Sequence, residues 1–369
     1  MMLPPAAVRA EAARLRAYFE GTGAVAVEAP ILLPADTLLD LYGEDIRGRA
    51  YVTHDPLRGE MMLRPDFTVP VVSEHMTNGA EPARYTYAGE VFRKQEIDPE
   101  RPSEYLQVGL EIFDGTDPAR ADAEVFTLFR DVLDPCHLRA ATGDIGILTA
   151  AVHGLTTSDP RRAALLRHIW RPRRFRALLD RFAGRGKLSS HRAELLARLS
   201  AGHDPLSDGT PLVGLRGEDE IRQRLTLLRA DAAEANLPAA EVELLDEILG
   251  LKDKAPVVLE NLRDLAVDMP ALADAVQRLE ARLDAMSARG INVGDLDFEA
   301  SFGRTTLEYY DGFVFGFYSV TRPDLPPVAT GGRYDALTRV LGGGRSIPAV
   351  GGVIRPEMLL TLGCSGDVK

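Results

Sequence analysis

The sequence predicts an α+β fold: an antiparallel sheet flanked by helices, with a helical subdomain inserted into it. Three observations carry this. Two long strand-like runs, Arg84 to Arg93 and Ser103 to Phe113, flank an irregular polar loop, which is the layout of an antiparallel pair. Strand signals then return only from Leu296 onward. Between them, leucines and alanines recur at helical spacing and strand signals almost vanish. Strand-rich ends around a helical middle predict a core of residues 1–155 and 290–369 and a helical insertion of residues 156–289.

Taken in order, Pro5 to Phe19 has helical spacing, opens on prolines and stops at Gly21-Thr-Gly23. Ala24 to Glu28 reads as a short strand running into Pro30. Ala50 to Thr53 and Met61 to Arg64 pair as a hairpin around Pro56-Leu57-Arg58-Gly59. Pro65 and Asp66 sit where a helix begins. Beyond the two long strands, Asp117 to Leu133 is a helix opened by Asp-Pro, Arg139 to Gly143 a strand and Ile145 to His153 a helix. After the helical block, strands are expected at Leu296 to Phe302, Leu307 to Val320 and Val328 to Thr330. A helix (Arg333 to Leu341), a glycine turn (Gly342-Gly-Gly344), a strand (Ala349 to Ile354) and a helix (Pro356 to Leu362) complete the pattern.

The 369 residues are 45% hydrophobic and 27% charged, ordinary values that exclude wholesale disorder. A formal net charge of -12 argues against a general phosphate-backbone binder, which would show a basic footprint. The two cysteines, Cys136 and Cys364, exclude a disulfide framework and fit a reducing compartment. Neither has the neighbours of a zinc ligand set, so no metal is expected. No apolar run is long enough for a membrane span, and the N-terminus lacks a signal-peptide pattern. The expected location is cytoplasmic.

Generic catalytic motifs are absent: there is no P-loop, no Gly-x-Ser-x-Gly and no His-Glu-x-x-His. The informative residues are polar ones on strands. Gln107 and Glu111 lie four apart on the second long strand, so a period of two puts them on one face. Either that face is solvated or it floors a small-molecule pocket with convergent polar groups; spacing alone does not separate the two. Tyr309 and Tyr310 are adjacent in a strand-like run, so only one is expected to share such a face. Gly331-Gly-Arg-Tyr-Asp335 is a strand-to-helix turn whose glycines would let backbone approach a ligand, and a plain tight turn has the same composition. Arg161 to Arg192 is strongly basic, with Trp170 and Phe175 inside it. A nucleic-acid contact fits that stretch; a solvated helical face is the commoner outcome.

As an ordered set, these segments resemble the class II aminoacyl-tRNA synthetase core, and its histidyl branch in particular. Pro30 resembles the proline of motif 1, the dimer-building element of that class. Leu63-Arg-Pro-Asp-Phe-Thr68 resembles the histidyl Leu-Arg-Pro-Glu-Gly-Thr. Gly89-Glu-Val-Phe-Arg93 followed by Gln107-Val-Gly-Leu-Glu111 resembles motif 2. Leu307-Glu-Tyr-Tyr310 and Gly331-Gly-Arg-Tyr-Asp335 resemble the two histidyl signatures, and Pro348-Ala-Val-Gly351 through Glu357 resembles motif 3.

The departures from that pattern bear on function. Where the family's motif 2 has Arg-x-Glu, this chain has Arg93-Lys94-Gln95; where motif 3 has an arginine after its glutamate, Met358 follows Glu357. The arginine of the first histidyl signature is replaced in Thr305-Thr306-Leu307-Glu308, with Arg304 and Arg355 near but out of register. Losing a group that stabilises phosphoryl charge costs on the order of a thousandfold in rate each, so adenylate formation is not expected. The chain stops soon after motif 3, where histidyl synthetases continue into an anticodon-binding domain, so none is expected here.

A chain that keeps the amino-acid pocket and lacks the ATP machinery is similar to the ATP phosphoribosyltransferase regulatory subunits. Asp40-Leu-Tyr-Gly-Glu-Asp-Ile46 and Leu63 to Thr68 resemble that family too. The resemblance implies a non-catalytic subunit, with no catalytic residue and no cofactor, at the first step of histidine biosynthesis. It implies a short-form catalytic partner that the chain activates, L-histidine as feedback effector, and a homodimer within a hetero-oligomer; nucleic acid and membrane are not expected partners. It also implies a histidine site. Asp66, Thr68 and Gln107 would receive the α-amino and carboxylate groups, with Arg93 replacing the missing arginine. Glu111 and Tyr310 would meet the imidazole, whose ring N–H a carboxylate accepts, and Tyr334 would line the pocket. Three alternatives are a histidyl-tRNA synthetase, a synthetase-like enzyme joining an amino acid to a protein, and a tRNA-binding paralogue using Arg161 to Arg192.

Overall fold

The computed structural model describes residues 3–42, 46–95, 102–209, 213–214, 216–304 and 309–364. They form two compact units, residues 1–151 with 247–369, and residues 152–246.

The first unit opens with α1 (Pro5–Gly21), whose Val8, Ala12, Leu15 and Phe19 make one buried stripe. The strand β1 (Val25–Ala26) follows. Next come β2 (Leu32–Pro34), α2 (Ala35–Tyr42), α3 (Ile46–Arg49), β3 (Val52–Asp55) and β4 (Gly59–Leu63). The expected hairpin is β3–β4; it is widened by β2, which was not foreseen, into a three-stranded antiparallel sheet. After α4 (Thr68–Asn78), the long strands β5 (Ala83–Phe92) and β6 (Glu104–Phe113) pair antiparallel along ten residues. Then come α5 (Pro118–Leu133), capped by the Asp117 carboxylate on the Arg120 N–H at 3.0 Å, β7 (Arg139–Asp144) and α6 (Ile145–His153).

The second unit holds α7 (Asp159–Arg167), α8 (Pro172–Phe182), α9 (Ser190–Ser200), α10 (Glu218–Ala233) and the first part of α11 (Ala239–Gly250). The chain returns through β8 (Lys252–Lys254), α12 (Ala255–Asp268), α13 (Ala273–Ala288), β9 (Asp297–Glu299), β10 (Phe313–Tyr318), β11 (Ala329–Arg333), α14 (Asp335–Leu341), β12 (Ala349–Ile354) and α15 (Pro356–Thr361). The main sheet has the order β1-β5-β6-β12-β11-β10-β7-β9-β8. Among the described strands of this sheet, β1–β5 and β7–β9 run parallel and the other pairs antiparallel.

The two faces of this sheet differ. Register places Val108, Leu110 and Ile112 of β6 on the same face as Phe313, Phe315 and Phe317 of β10. Phe126 and Phe129 of α5 pack there, with Phe126 5.4 Å from Phe317 and Phe129 5.5 Å from Phe315, ring centre to ring centre. Inside this apolar layer lies a charge cluster. Asp122 of α5 accepts from Arg282 Nε at 2.9 Å and from Arg333 Nη2 at 2.7 Å. Arg282 also donates to Asp144 at 2.7 Å, and its guanidinium lies 4.6 Å from the centre of the Phe313 ring. All four charged side chains are buried.

Arg282 explains where the boundary falls. The units divide at 151 and 247, whereas leucine spacing placed 156–289 in one helical block. Apart from the short β8 and the connecting turns, residues 247–289 are helical as expected, but α13 packs on α5 through its buried apolar stripe and this ion pair, so it belongs to the sheet unit. Helical period reveals that a segment is a helix; it does not reveal which body the buried stripe faces.

In the second unit part of the basic stretch is neutralised from within. Arg161 is buried against the Phe182 ring; it donates to Asp231 at 2.8 Å and to the Ala235 carbonyl at 2.7 Å. Arg181 and Arg192 reach the same Asp231 at 3.6 and 3.3 Å, and Arg176 pairs with Asp246. Phe175, Leu179 and Phe182 form the buried stripe of α8, and the lone tryptophan, Trp170, lies in this unit just before it.

Asp122→Ala would leave Arg282 and Arg333 buried without their shared carboxylate. It should cost about 3–5 kcal/mol in denaturant unfolding. Arg176→Ala, at an exposed pair, should cost less than about 1 kcal/mol in the same assay.

Candidate functional site

The other face of the sheet carries the polar residues singled out in the sequence. Gln107 and Glu111 share it with Tyr85, Tyr87 and Gly89 across the β5–β6 ladder, and Gly351 stands opposite Glu111 on β12. Glu111 is fully buried and Gln107 nearly so, which removes the solvated-face reading. The floor beneath them is built of glycine. A Cβ at Gly351 would fall on the Glu111 carboxylate, and one at Gly332 of β11 would lie 2.8 Å from the Tyr310 ring. These are positions where side chain and backbone approach closer than any other residue permits.

Three hydroxyls converge on Glu111. Thr68, the first residue of α4, donates to its Oε1 at 2.8 Å; Tyr87 donates to the same oxygen at 2.9 Å; Tyr334 donates to Oε2 at 2.5 Å. Burial lifts the Glu111 carboxyl from 4.5 to about 7 against these three donors, and the nearby Asp66 adds to the rise. The Tyr87 and Tyr334 phenols are pushed well up by the same burial and by the Glu111 charge. The turn that presents Asp66 and Thr68 is held by Arg64, which donates to the Glu90 carbonyl at 2.8 Å and to the Ala29 carbonyl. Its guanidinium sits 3.9 Å from the centre of the Phe67 ring, which stacks on Tyr87 at 4.4 Å.

Of the seven residues predicted for the site, Asp66, Thr68, Glu111, Tyr310 and Tyr334 come together here, with Gln107 two register steps along the same face. The Gln107 Oε1 is buried without a hydrogen-bond partner among the described residues. Arg93 lies close enough for its charge to act on Tyr310, and its Nε donates to the Pro65 carbonyl at 2.7 Å, bracing the turn next to Asp66.

Two neighbours were missed. Tyr87 was readable from the period of two, since it faces the gap between Gln107 and Glu111. Tyr309 was excluded by a rule that does not apply. Leu307 to Val320 was expected as one strand, but β10 begins only at Phe313, so Tyr309 and Tyr310 are not bound to opposite faces. Both are buried, 4.9 Å apart, and the Tyr309 hydroxyl donates to Thr68 Oγ1 at 3.3 Å.

The histidyl-tRNA synthetase family model matches residues 2–213 and 221–359. An ATP phosphoribosyltransferase regulatory subunit from Brucella ovis is 32% identical, over 91% of this chain and 93% of that one. Its Brucella abortus counterpart is 32% identical over 91% and 92%. The chain belongs to the ATP phosphoribosyltransferase regulatory subunit family. Among solved structures, one titled an ATP phosphoribosyltransferase regulatory subunit/histidyl-tRNA synthetase, from Bacillus halodurans, shares the fold with a TM-score of 0.68. It is 20% identical and covers 99% of this chain and 82% of that one. A histidine–tRNA ligase subunit from Alicyclobacillus acidocaldarius follows at 0.60, 21% identical, over 98% and 95%.

In this regulatory-subunit chain the motif 2 and motif 3 ends lie at a cavity of about 220 Å³, where Arg49, Arg93, Gln95, Arg355, Glu357 and Met358 meet. Gln95 spends its amide on the Pro102 carbonyl at 3.1 Å, and Arg355 lies over the Tyr105 ring. The replaced signature arginine, at Thr305 to Glu308, lies outside the described residues, as do residues 43–45 of the Asp40 to Ile46 motif.

Because the folded carboxyl of Glu111 titrates above its unfolded value, the stability it contributes is full below about 4.5 and is lost as pH rises through about 7. Tyr334→Phe removes a donor needed chiefly by the charged form. It should cost about 1–3 kcal/mol at pH 8 and distinctly less at pH 5 in paired denaturant titrations. Gly351→Ala should displace the carboxylate and cost about 1–3 kcal/mol by overpacking, with the pH dependence reduced.

Proposed function

We propose that this chain is the regulatory subunit of an ATP phosphoribosyltransferase that pairs with a short catalytic subunit, raises its activity and carries feedback inhibition by L-histidine. The observation that supports the histidine site is Glu111: a fully buried carboxylate, braced by three hydroxyls, on a face that also carries the buried Gln107 amide oxygen, which has no hydrogen-bond partner among the described residues. A carboxylate offers about four lone-pair positions, so one remains for an imidazole N–H. The Gln107 oxygen and the Asp66 carboxylate suit an α-ammonium group, and Arg93 a carboxylate. With its pKa near 7, Glu111 is matched to an imidazole, whose ordinary value is about 6.5. The pair holds one proton between them without a large cost in either direction.

Histidine bound there favours a quaternary arrangement in which the partner is less active. The protein works in the cytoplasm, as a homodimer within the hetero-oligomer. Adenylate chemistry is not part of the reading, because Gln95 and Met358 stand where the synthetases carry charged groups. Coupling of this kind is reciprocal, so substrates of the partner must weaken histidine binding by the factor with which histidine weakens theirs.

The test mixes the chain with a short-form catalytic subunit from the same source and follows phosphoribosyl-ATP formation. The rate should rise on mixing and fall with histidine. No change in either direction removes the proposal, and histidine-dependent ATP–pyrophosphate exchange by the chain alone would replace it with a synthetase. Glu111→Gln keeps the shape and removes the charge. It should weaken histidine inhibition by about 10- to 100-fold, the worth of a hydrogen bond to a charged group, while activation of the partner persists.

A further inference from the structure

The arginines of the second unit play no part in the site just described. Within that unit α7, the end of α8 and α10 surround a cavity of about 520 Å³. Four guanidinium side chains line it, Arg161, Arg167, Arg181 and Arg224, against two carboxylates, Asp231 and Glu234.

Both carboxylates are already taken. Asp231 accepts from Arg161 Nε at 2.8 Å and from Arg192 Nη2 at 3.3 Å, and Arg181 Nη2 stands 3.6 Å from it. Glu234 accepts from the Thr157 hydroxyl, the Ser158 hydroxyl and the Ser158 N–H at 2.7, 2.7 and 2.8 Å. Three guanidinium groups thus share one aspartate. The buried Nε atoms of Arg181 and Arg192 have no hydrogen-bond partner among the described residues. Burial lowers the Arg181 pKa against the pull of Asp231, and the like charges of Arg192 and Arg161 add to the fall. The cluster is short of negative charge and of acceptors. A face solvated all round would have neither a cavity nor an apolar wall. Here the Phe182 ring lies 4.6 Å from the Arg181 guanidinium, and Leu227 and Leu228 of α10 line the cavity, Leu227 exposed.

We propose that this groove binds a small organic phosphate, its phosphoryl group met by Arg167, Arg181 and Arg224 and its apolar or planar body lying against Leu227 and Leu228. Arginine suits the task because its planar fork matches two phosphate oxygens at once. Arg181 is reachable, with 32% of its side chain exposed, and Arg167 and Arg224 are exposed. Arg161 is a positioning residue: its donors go to Asp231 and the Ala235 carbonyl, which fixes the aspartate that in turn holds Arg181. A long polyanion such as RNA fits less well, because it needs a basic track beyond the groove. The helix that supplies Arg224 opens with Glu218, Asp219 and Glu220.

The experiment titrates the full chain calorimetrically with phenyl phosphate and with inorganic phosphate. Both should bind saturably at low ionic strength and weaken as salt is added. Phenyl phosphate should bind about tenfold tighter, because its ring leaves water for the leucine wall. Arg181→Ala should weaken both by about 10- to 100-fold, the worth of a hydrogen bond to a charged group. Arg167→Ala and Arg224→Ala should each weaken them about threefold; these side chains are exposed, so the pair carries the test even if Arg181→Ala fails to fold. Absence of saturable binding at millimolar concentration would overturn the proposal. So would binding that Arg355→Ala abolishes and the three groove variants leave intact, which moves the anion to the motif 2 and motif 3 cavity. A single-stranded RNA oligonucleotide bound through the same three arginines, with phenyl phosphate unbound, would overturn it as well.

Discussion

A carboxylate carried to the middle of a sheet face has to be supplied with hydrogen-bond donors, or it will not stay charged. That constraint organises one side of this molecule. Glu111 takes its donors from three different elements: β5 through Tyr87, the start of α4 through Thr68, and the entrance to α14 through Tyr334. The floor must be glycine at Gly351, because a side chain there would occupy the carboxylate's place. The turn ahead of α4 must be rigid, and Arg64 makes it so by bonding two carbonyls from separate stretches while lying on Phe67.

The stretch Gly331 to Asp335 joins this polar face to the opposite one. Arg333 points into the apolar layer and meets Asp122; Tyr334 points to Glu111; Asp335 accepts from the Ala349 N–H at 2.9 Å and from Arg333 at 3.0 Å. Asp311, lifted to about 7 by burial and by the charge of Asp335, receives the N–H groups of Asp335 and Ala336 at the start of α14. A single five-residue stretch, from the end of β11 to the start of α14, therefore fastens the pocket to the buried ion cluster that also holds α13. The position of Tyr334 is set as much by the Asp122 cluster as by its own hydrogen bond.

Much of this was legible in the sequence, for identifiable reasons. The long strands β5 and β6 were found because two long strand-like runs flank a polar loop, and a period of two put Gln107 and Glu111 on one face. The short strands β2 and β8 were not, since three residues carry no period. The run before β10 misled because tyrosine and phenylalanine favour strands even where the backbone is not yet one, and this hid Tyr309. The basic stretch from Arg161 was ambiguous because its counter-charges, Asp231, Glu234 and Asp246, lie far along the chain. No local pattern shows which distant carboxylate will answer a given arginine.

The distribution of aromatic residues gives the two units separate optical signatures. The lone tryptophan belongs to the helical unit, and the tyrosines around Glu111 belong to the sheet unit. Emission excited at the red edge, where tyrosine is dark, follows only the helical body, whereas tyrosine absorbance is dominated by rings outside it. Coincident transitions in the two signals would mean that the bodies melt as one cooperative system, and separated ones that each has its own midpoint. A chain with tryptophans in both bodies would not allow that distinction without labelling.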